Sequence, residues 1–166
     1  MDVLESLKQQ LNLMLAISAS CHSFEQTEQQ LQNTFLASAR ELLEKQLSLY
    51  DPGDSVVSIS GKDFRRVLTQ NKTYQSLLGP LRIERGLYRS KKGEKTICPL
   101  ESLSGIVGGF WTPNAAKKGT LFLTEMPSVK TKALLGEIGL MQPSSSALDQ
   151  LPKQISSTWE AKRAAF

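Results

Sequence analysis

The turn Asp51-Pro52-Gly53-Asp54 divides the chain into two kinds of pattern, and no single repeat accounts for both. Before it, Val3, Leu4, Leu7, Leu11, Met14 and Leu15 recur at three- and four-residue spacing, and Leu31, Phe35, Ala39, Leu42, Leu43 and Leu47 do the same. Each set describes a helix with one apolar face. Ser23 with Gln26, or Thr27 with Gln30, fits a capping box for the second helix. After the turn the period shortens. Val56, Val57 and Ile59 suit a short strand, and Tyr74 to Leu78 and Leu81 to Tyr88 suit a hairpin around Gly79-Pro80. In the second arm Leu81, Ile83, Arg85 and Leu87 alternate with Arg82, Glu84, Gly86 and Tyr88, a period of two. Lys91-Lys92-Gly93 turns the chain toward a strand-like Lys95 to Cys98, and the resulting ribbon must pack on something to be stable.

Helical signals return from Leu100. Ser102 or Ser104 stands where a cap belongs, and Thr112-Pro113 offers a cap with a first-turn proline. Ala115, Ala116, Leu121, Phe122 and Leu123 follow. Ser128 to Glu137 reads as another helix with Val129, Ala133 and Leu134 on its core face, ended by Gly139. After Gln142-Pro143-Ser144, Ser145 caps a last helix carrying Ala147, Leu148, Leu151 and Ile155, which Pro152 should kink or shorten. Two helices joined by a short glycine-containing connection describe a helix-turn-helix or any other helical hairpin; spacing does not separate the two. The expected fold is therefore mainly α (α+β): an N-terminal helical hairpin over 1–54, a small basic antiparallel β ribbon over 55–99, and a helix-turn-helix-like region over 100–166.

Charge is distributed unevenly along this order. Residues 1–54 carry three basic and eight acidic side chains, whereas residues 61–95 carry ten basic and three acidic, half of the 20 Lys and Arg of the whole chain. Such a concentration is the usual electrostatic footprint of a surface that binds a polyanion, although a solvated basic hairpin has the same composition. Arg82, Arg85, Arg89, Lys91 and Lys92 are the candidate phosphate contacts, with Tyr88 stacking or packing beneath them. Because strand alternation separates Arg82 from Arg85, only part of this set should reach phosphate. On the last helix, Ser145, Ser146 and Gln150 could bond phosphates or base edges near the helix start, while Asp149 there would repel phosphate unless it accepts from a base or holds a basic side chain. A plain helical hairpin with a serine cap explains the same residues.

Other chemistries find little footing. His22 is the one histidine and has no nucleophile and carboxylate to work with. Cys21 and Cys98 are far apart and form no CxxC pair, so neither a disulfide framework nor a four-ligand zinc site is expected. GIVGG at 105–109 lacks the lysine and Ser/Thr of a phosphate loop and reads as a packing or hinge feature. No catalytic residue, metal or cofactor is assigned. The longest apolar run, Leu11 to Ala19, is too short to cross a bilayer, and the acidic start with Asp2 and Glu5 is unlike a signal peptide, so a cytoplasmic location and no membrane partner are expected.

Several phrases of the chain resemble one family. Leu77-Leu78-Gly79-Pro80, Cys98-Pro99-Leu100-Glu101, Gly105-Ile106-Val107, Phe110-Trp111-Thr112-Pro113, Ala115-Ala116, the run from Pro143 to Lys153 and Trp159-Glu160-Ala161 are similar to the N-terminal, non-catalytic region of Kra-type insertion-sequence transposases. In that family the region precedes an RNase H-like catalytic domain with acidic metal ligands. The resemblance covers roughly Ser48 to Ala161 and implies recognition of transposon-end double-stranded DNA. Many relatives carry a CxxC knuckle near the position of Arg89 to Gly93; here Ser90-Lys91-Lys92-Gly93 stands instead, so no zinc is carried over. The chain stops at Phe166, before the catalytic domain that the family would place next, which leads to the expectation of a truncated or separately encoded DNA-binding region without nuclease activity. The alternatives are an interaction module whose acidic helices pair with a second copy or with a transposase subunit, and an inactive gene remnant.

Overall fold

The computed structural model describes residues 23–91, 94–139 and 141–163, together with positions 5, 8, 9, 11–13, 15 and 16 before them. Val3, Leu4, Leu7 and Met14 of the expected first helix, and Cys21 and His22, lie outside the described residues. The architecture is α+β, as the periodicities predict: helices and one three-stranded antiparallel sheet. Residues 1–42 and 43–166 form separate compact units.

Helix α1 (Phe24–Ser48) starts at Ser23, whose Oγ accepts the Gln26 N–H at 3.2 Å; of the two predicted starts, this is the one used. It continues into the second unit, where Leu47 is buried and Phe24 and Phe35 of the first unit are exposed. Gly53, at φ 73°, closes the turn after α1 with its N–H on Asp51 Oδ1.

Strand β1 (Val56–Ile59) pairs with β2 (Lys62–Ser76), which pairs with β3 (Gly79–Arg89), in the order β1-β2-β3. Ser60 and Gly61 both have positive φ, 51° and 73°, and make the two-residue connection that matches strand twist. Leu77 and Leu78 make the second connection. There Ser76 Oγ donates to the Gly79 carbonyl at 2.7 Å and accepts from the Leu78 N–H at 3.1 Å. The expected strand at Lys95 to Cys98 reduces to one bridge, Ile97 against Tyr88.

One edge of β3 is closed by groups far away in sequence. The Arg82 N–H donates to Glu44 Oε1 at 2.7 Å, the Gly86 N–H donates to Asp51 Oδ2, and Tyr88 exchanges two backbone bonds with Ile97. Carboxylates thus take the place of a neighbouring strand's carbonyls and satisfy donors that an open edge would leave to solvent or to another chain.

Four helices follow: α2 (Pro99–Ser104), α3 (Pro113–Glu125), α4 (Ser128–Gly139) and α5 (Ser145–Arg163). Pro99 and Pro113 open α2 and α3 at positions where a missing N–H costs nothing. Ser102 and Ser104 are not caps: they lie inside α2 and donate back to the Cys98 and Leu100 carbonyls. Among the described residues of α4 the buried ones are Thr131 and Leu135, one turn apart, while Val129 is 69% exposed, so the core face differs from the predicted one. Ser144, rather than Ser145, caps α5 by accepting the Ala147 N–H at 3.1 Å. Pro152 sits inside α5 without ending it. The prolines of the earlier helices occupy first turns, but Pro152 withdraws an interior hydrogen bond, so packing must hold this helix together.

Two cores result. Leu47, Tyr74, Leu81, Ile83, Cys98 and Leu100 fill the space between one end of the sheet, α2 and the last turns of α1. Trp111, Ala115, Ala116, Leu135, Met141, Leu148 and Leu151 fill the space among α3, α4 and α5. Gly119 lets α3 and α5 approach closely, since a Cβ there would stand 2.9 Å from a Leu151 methyl. The sheet joins the helical layer through Gln75, whose N–H donates to the Phe110 carbonyl at 2.8 Å and whose carbonyl accepts from the Thr112 N–H at 2.9 Å.

Candidate nucleic-acid interface

Strand alternation gives the ribbon two faces, and directly opposite residues share one. Tyr74 opposite Leu81, Lys72 opposite Ile83, Gln70 opposite Arg85, Leu68 opposite Leu87 and Arg65 opposite Arg89 make one face; Thr73 opposite Arg82, Asn71 opposite Glu84 and Arg66 opposite Tyr88 make the other. The register shifts between Arg66 and Leu68, so Val67 is an extra, bulged residue. Residues 67–71 of β2 are exposed, whereas the β3 residues beside them are enclosed: Gly86 and Tyr88 are buried, and half-buried Leu87 packs against the first core.

The five basic residues singled out from sequence meet different fates. Arg82 is exposed on the second face, and among the described residues only its backbone N–H is engaged. Arg85 is turned inward: one Nη1 hydrogen bond reaches Glu101 Oε1 and another reaches Tyr74 Oη at 3.2 Å, while Tyr74 donates to Glu101 at 3.0 Å. Its side chain keeps 11% exposure, so its charge is answered within the protein and it leaves the accessible basic set. Burial opposes the charged Arg85, but attraction to Glu101 and Tyr74 outweighs that, and the guanidinium is held more firmly protonated than a free arginine. Tyr74 is raised by burial and then by Glu101, and the Cys98 thiol beside them is raised by burial. Arg89 is half-buried, with Nη2 donating to Thr96 Oγ1 at 3.0 Å. Lys91 is exposed, and Lys92 lies outside the described residues.

Tyr88 does lie beneath a cation, though not one of the five. Its ring is fully buried, Arg66 sits 5.6 Å from the ring centroid, and its hydroxyl accepts from Arg66 Nε and Nη2 at 3.2 and 3.0 Å while donating to the Asp54 carbonyl. Hydrogen bonding to Tyr88, ahead of the nearby Asp51 and Asp54, raises Arg66 above the usual arginine value. Lys62 pairs with Glu94 at 3.1 Å and lies over the Phe64 ring. Arg65 is exposed and belongs to the basic surface. Sequence reasoning counted its charge but gave it no role, because β2 was recognised only from Tyr74 onward. The Ser60-Gly61 turn just before Lys62 was the signal available, and the bulge at Val67 hid the alternation behind it.

At the start of α5, Ser146, Asp149 and Gln150 are exposed and Ser145 is half-buried. Ser146 and Gln150 line a cleft of about 260 Å³ with Gly108, Phe110 and Gln154; Ser145 is not among its walls. The GIVGG segment shapes the cleft: Gly105 ends α2 at φ 72°, and Gly108 and Gly109 turn the chain back at 59° and 64°. A Cβ on Gly108 would collide with the Gln154 side chain. GIVGG is thus a helix cap followed by a tight turn, and the Val107 N–H closes that turn on the Trp111 carbonyl at 2.9 Å.

A larger groove of about 610 Å³, lined by Leu43, Leu47, Tyr50, Leu77, Leu81 and Pro113 among others, has no charged residue in its walls and is unsuited to a polyanion. Among the described residues no cluster of three His, Cys, Asp or Glu could hold a metal ion, and no helix is long and apolar enough to cross a membrane. Compared with protein-family models, curated proteins and solved structures, the chain matches none.

Proposed function

We propose that this protein binds double-stranded DNA through the far half of its β ribbon, and that the DNA is the end of a transposable element, recognised as by the non-catalytic region of an insertion-sequence transposase. The observation that carries the reading is the ribbon itself: an antiparallel pair whose β2 residues 67–71 are exposed, with Arg65 and Lys91 open to solvent at its far end and Arg82 open to solvent nearer the turn. The major groove admits an element of that width, and arginines beside it reach phosphates. The start of α5, with Ser146 and Gln150 exposed, is the second contact surface and the one nearer to bases. Transposon ends as the target rest on the resemblance of the Leu77–Pro80 and Pro143–Lys153 phrases.

Fluorescence anisotropy with labelled duplexes tests this, in salt from about 50 to 200 mM. Four phosphate contacts correspond to a loss of roughly 100-fold in affinity across that range. The variant R82A/R89A/K91A/K92A should bind weakly and with a flatter salt dependence; unchanged affinity would remove the ribbon from the function. A second reading is an interaction module, favoured by Phe24 and Phe35 of α1, which are 82% and 64% exposed. It predicts oligomers in light scattering and indifference to DNA.

A further inference from the structure

The bulge at Val67 decides which arginine faces which neighbour. Up to Leu68 the strands run in one register; beyond Val67 they run in another, which sets Arg66 opposite Tyr88 and Arg65 opposite Arg89. Directly opposite residues have their Cβ atoms about 4.5–5.5 Å apart on the same face, and like charges so placed destabilise a sheet. Three other cations of the ribbon are paired with acids: Lys62 with Glu94 at 3.1 Å, Arg66 with Asp51 at 4.0 Å, Arg85 with Glu101. Among the described residues neither Arg65 nor Arg89 has such a partner, and Asp63, two positions from Arg65 on the same face, forms no ion pair with it.

The two guanidinium groups are also unequal in a useful way. Arg89 is half-buried and oriented by Thr96, and its Nε is enclosed with no acceptor. Arg65 is exposed, directly across the strand pair from Arg89. One oriented and one exposed fork, both planar and both permanently charged, suit an anion with several oxygens spread over a tetrahedron.

We infer that Arg65 and Arg89 form a two-guanidinium clamp for a single phosphoryl group. In the DNA-binding reading, on which this inference builds, that group is one backbone phosphodiester. The clamp anchors the ribbon at one point of the backbone, and the bulge at Val67 is the device that assembles it.

Two measurements on the full chain test the clamp. In duplex binding, R65Q and R89Q should each lower the slope of log affinity against log salt by about 0.9, equivalent to about 3.5-fold less affinity loss between 50 and 200 mM. The double variant should lower it by the same 0.9, because both side chains serve one phosphate. A double-variant loss of about 1.8 would mean two independent contacts and would overturn the clamp, as would an unchanged slope in either single variant. The second measurement needs no DNA. Inorganic phosphate should raise the melting temperature of the wild type more than chloride at equal ionic strength, and R65Q/R89Q should lose that difference while R82Q, on the opposite face, keeps it. If the wild type ignores duplex DNA yet retains the phosphate-specific increment, the DNA reading fails and the clamp stands. If the increment is equal in wild type and R65Q/R89Q, the clamp fails whatever the DNA result.

Discussion

The two ends of the same ribbon treat arginine in opposite ways. Near the hairpin turn at Leu77-Leu78, Tyr74, Leu81 and Ile83 are buried against α2, and Arg85 enters that environment with Glu101 and Tyr74 as partners. At the far end, Arg65 and Arg89 face each other with no acid between them. These arginines come from one short basic segment, and each adds the same single charge to its total. The difference teaches that a cation near an apolar core is a structural group because desolvation makes an unpaired charge costly, whereas one left exposed, as Arg65 is, can wait for a ligand. A count of Lys and Arg in 61–95 therefore overstates the accessible surface.

The contrast can be broken most directly in packing. Ile83→Ala, at the core end, should cost about 3 kcal/mol in chemical denaturation, since Ile83 is 1% exposed, while Leu68→Ala, on the same face but 54% exposed, should change stability by less than about 0.5 kcal/mol. Similar costs at the two sites would mean that the far half is covered by something after all. Next in size, Glu101→Gln leaves Arg85 without its carboxylate. It should cost roughly 2 kcal/mol, less than the about 3–5 kcal/mol of a fully buried pair because Glu101 keeps 23% exposure. DNA affinity at constant fold should not follow it; a matching fall in affinity would return Arg85 to the interface.

Between the two ends, Gly86→Ala places a Cβ 2.7 Å from the buried Tyr88 ring, and the resulting shift should cost about 1–2 kcal/mol and loosen Arg66 from Tyr88. An unaffected melting temperature would show that the ring yields freely. The smallest effect is on pH. Tyr74 and Cys98 both lie above their ordinary values, by burial first, so the stability they confer is complete below about pH 9 and is lost as pH rises through their raised values. Stability measured from pH 8 to 11 should fall, and Tyr74→Phe should make the fall shallower; an equal slope in the variant would place the alkaline sensitivity elsewhere.

Much of the fold was legible in the residues. The helical repeat from Leu31 to Leu47, the break at Asp51–Asp54, the hairpin around Gly79-Pro80 and the first-turn Pro113 all correspond to structure. Each is a local signal: a period, a turn or a cap. Legibility failed where a distant contact decided the outcome. Arg85 looks like a surface arginine until Glu101 is brought beside it, and Val129 looks like a core residue until α4 presents Thr131 and Leu135 instead. Most of β2 was missed because a bulged residue interrupts its alternation, and that same residue sets the pairing of Arg65 with Arg89. Ser144, one residue ahead of the expected cap, takes the role because its hydroxyl reaches the Ala147 N–H.

The sealed edge of β3 also limits how copies of this molecule can associate. With Glu44 on Arg82 and Asp51 on Gly86, and with Ile97 on Tyr88, an incoming strand would have to displace acids and a segment of the same chain before it could add there. Growth by strand addition is thereby directed to the opposite margin, past the four residues of β1, where the chain has little length to offer. Occupying edge donors with acids and a short segment of the same chain is one of the ways a sheet is kept from pairing with a second copy.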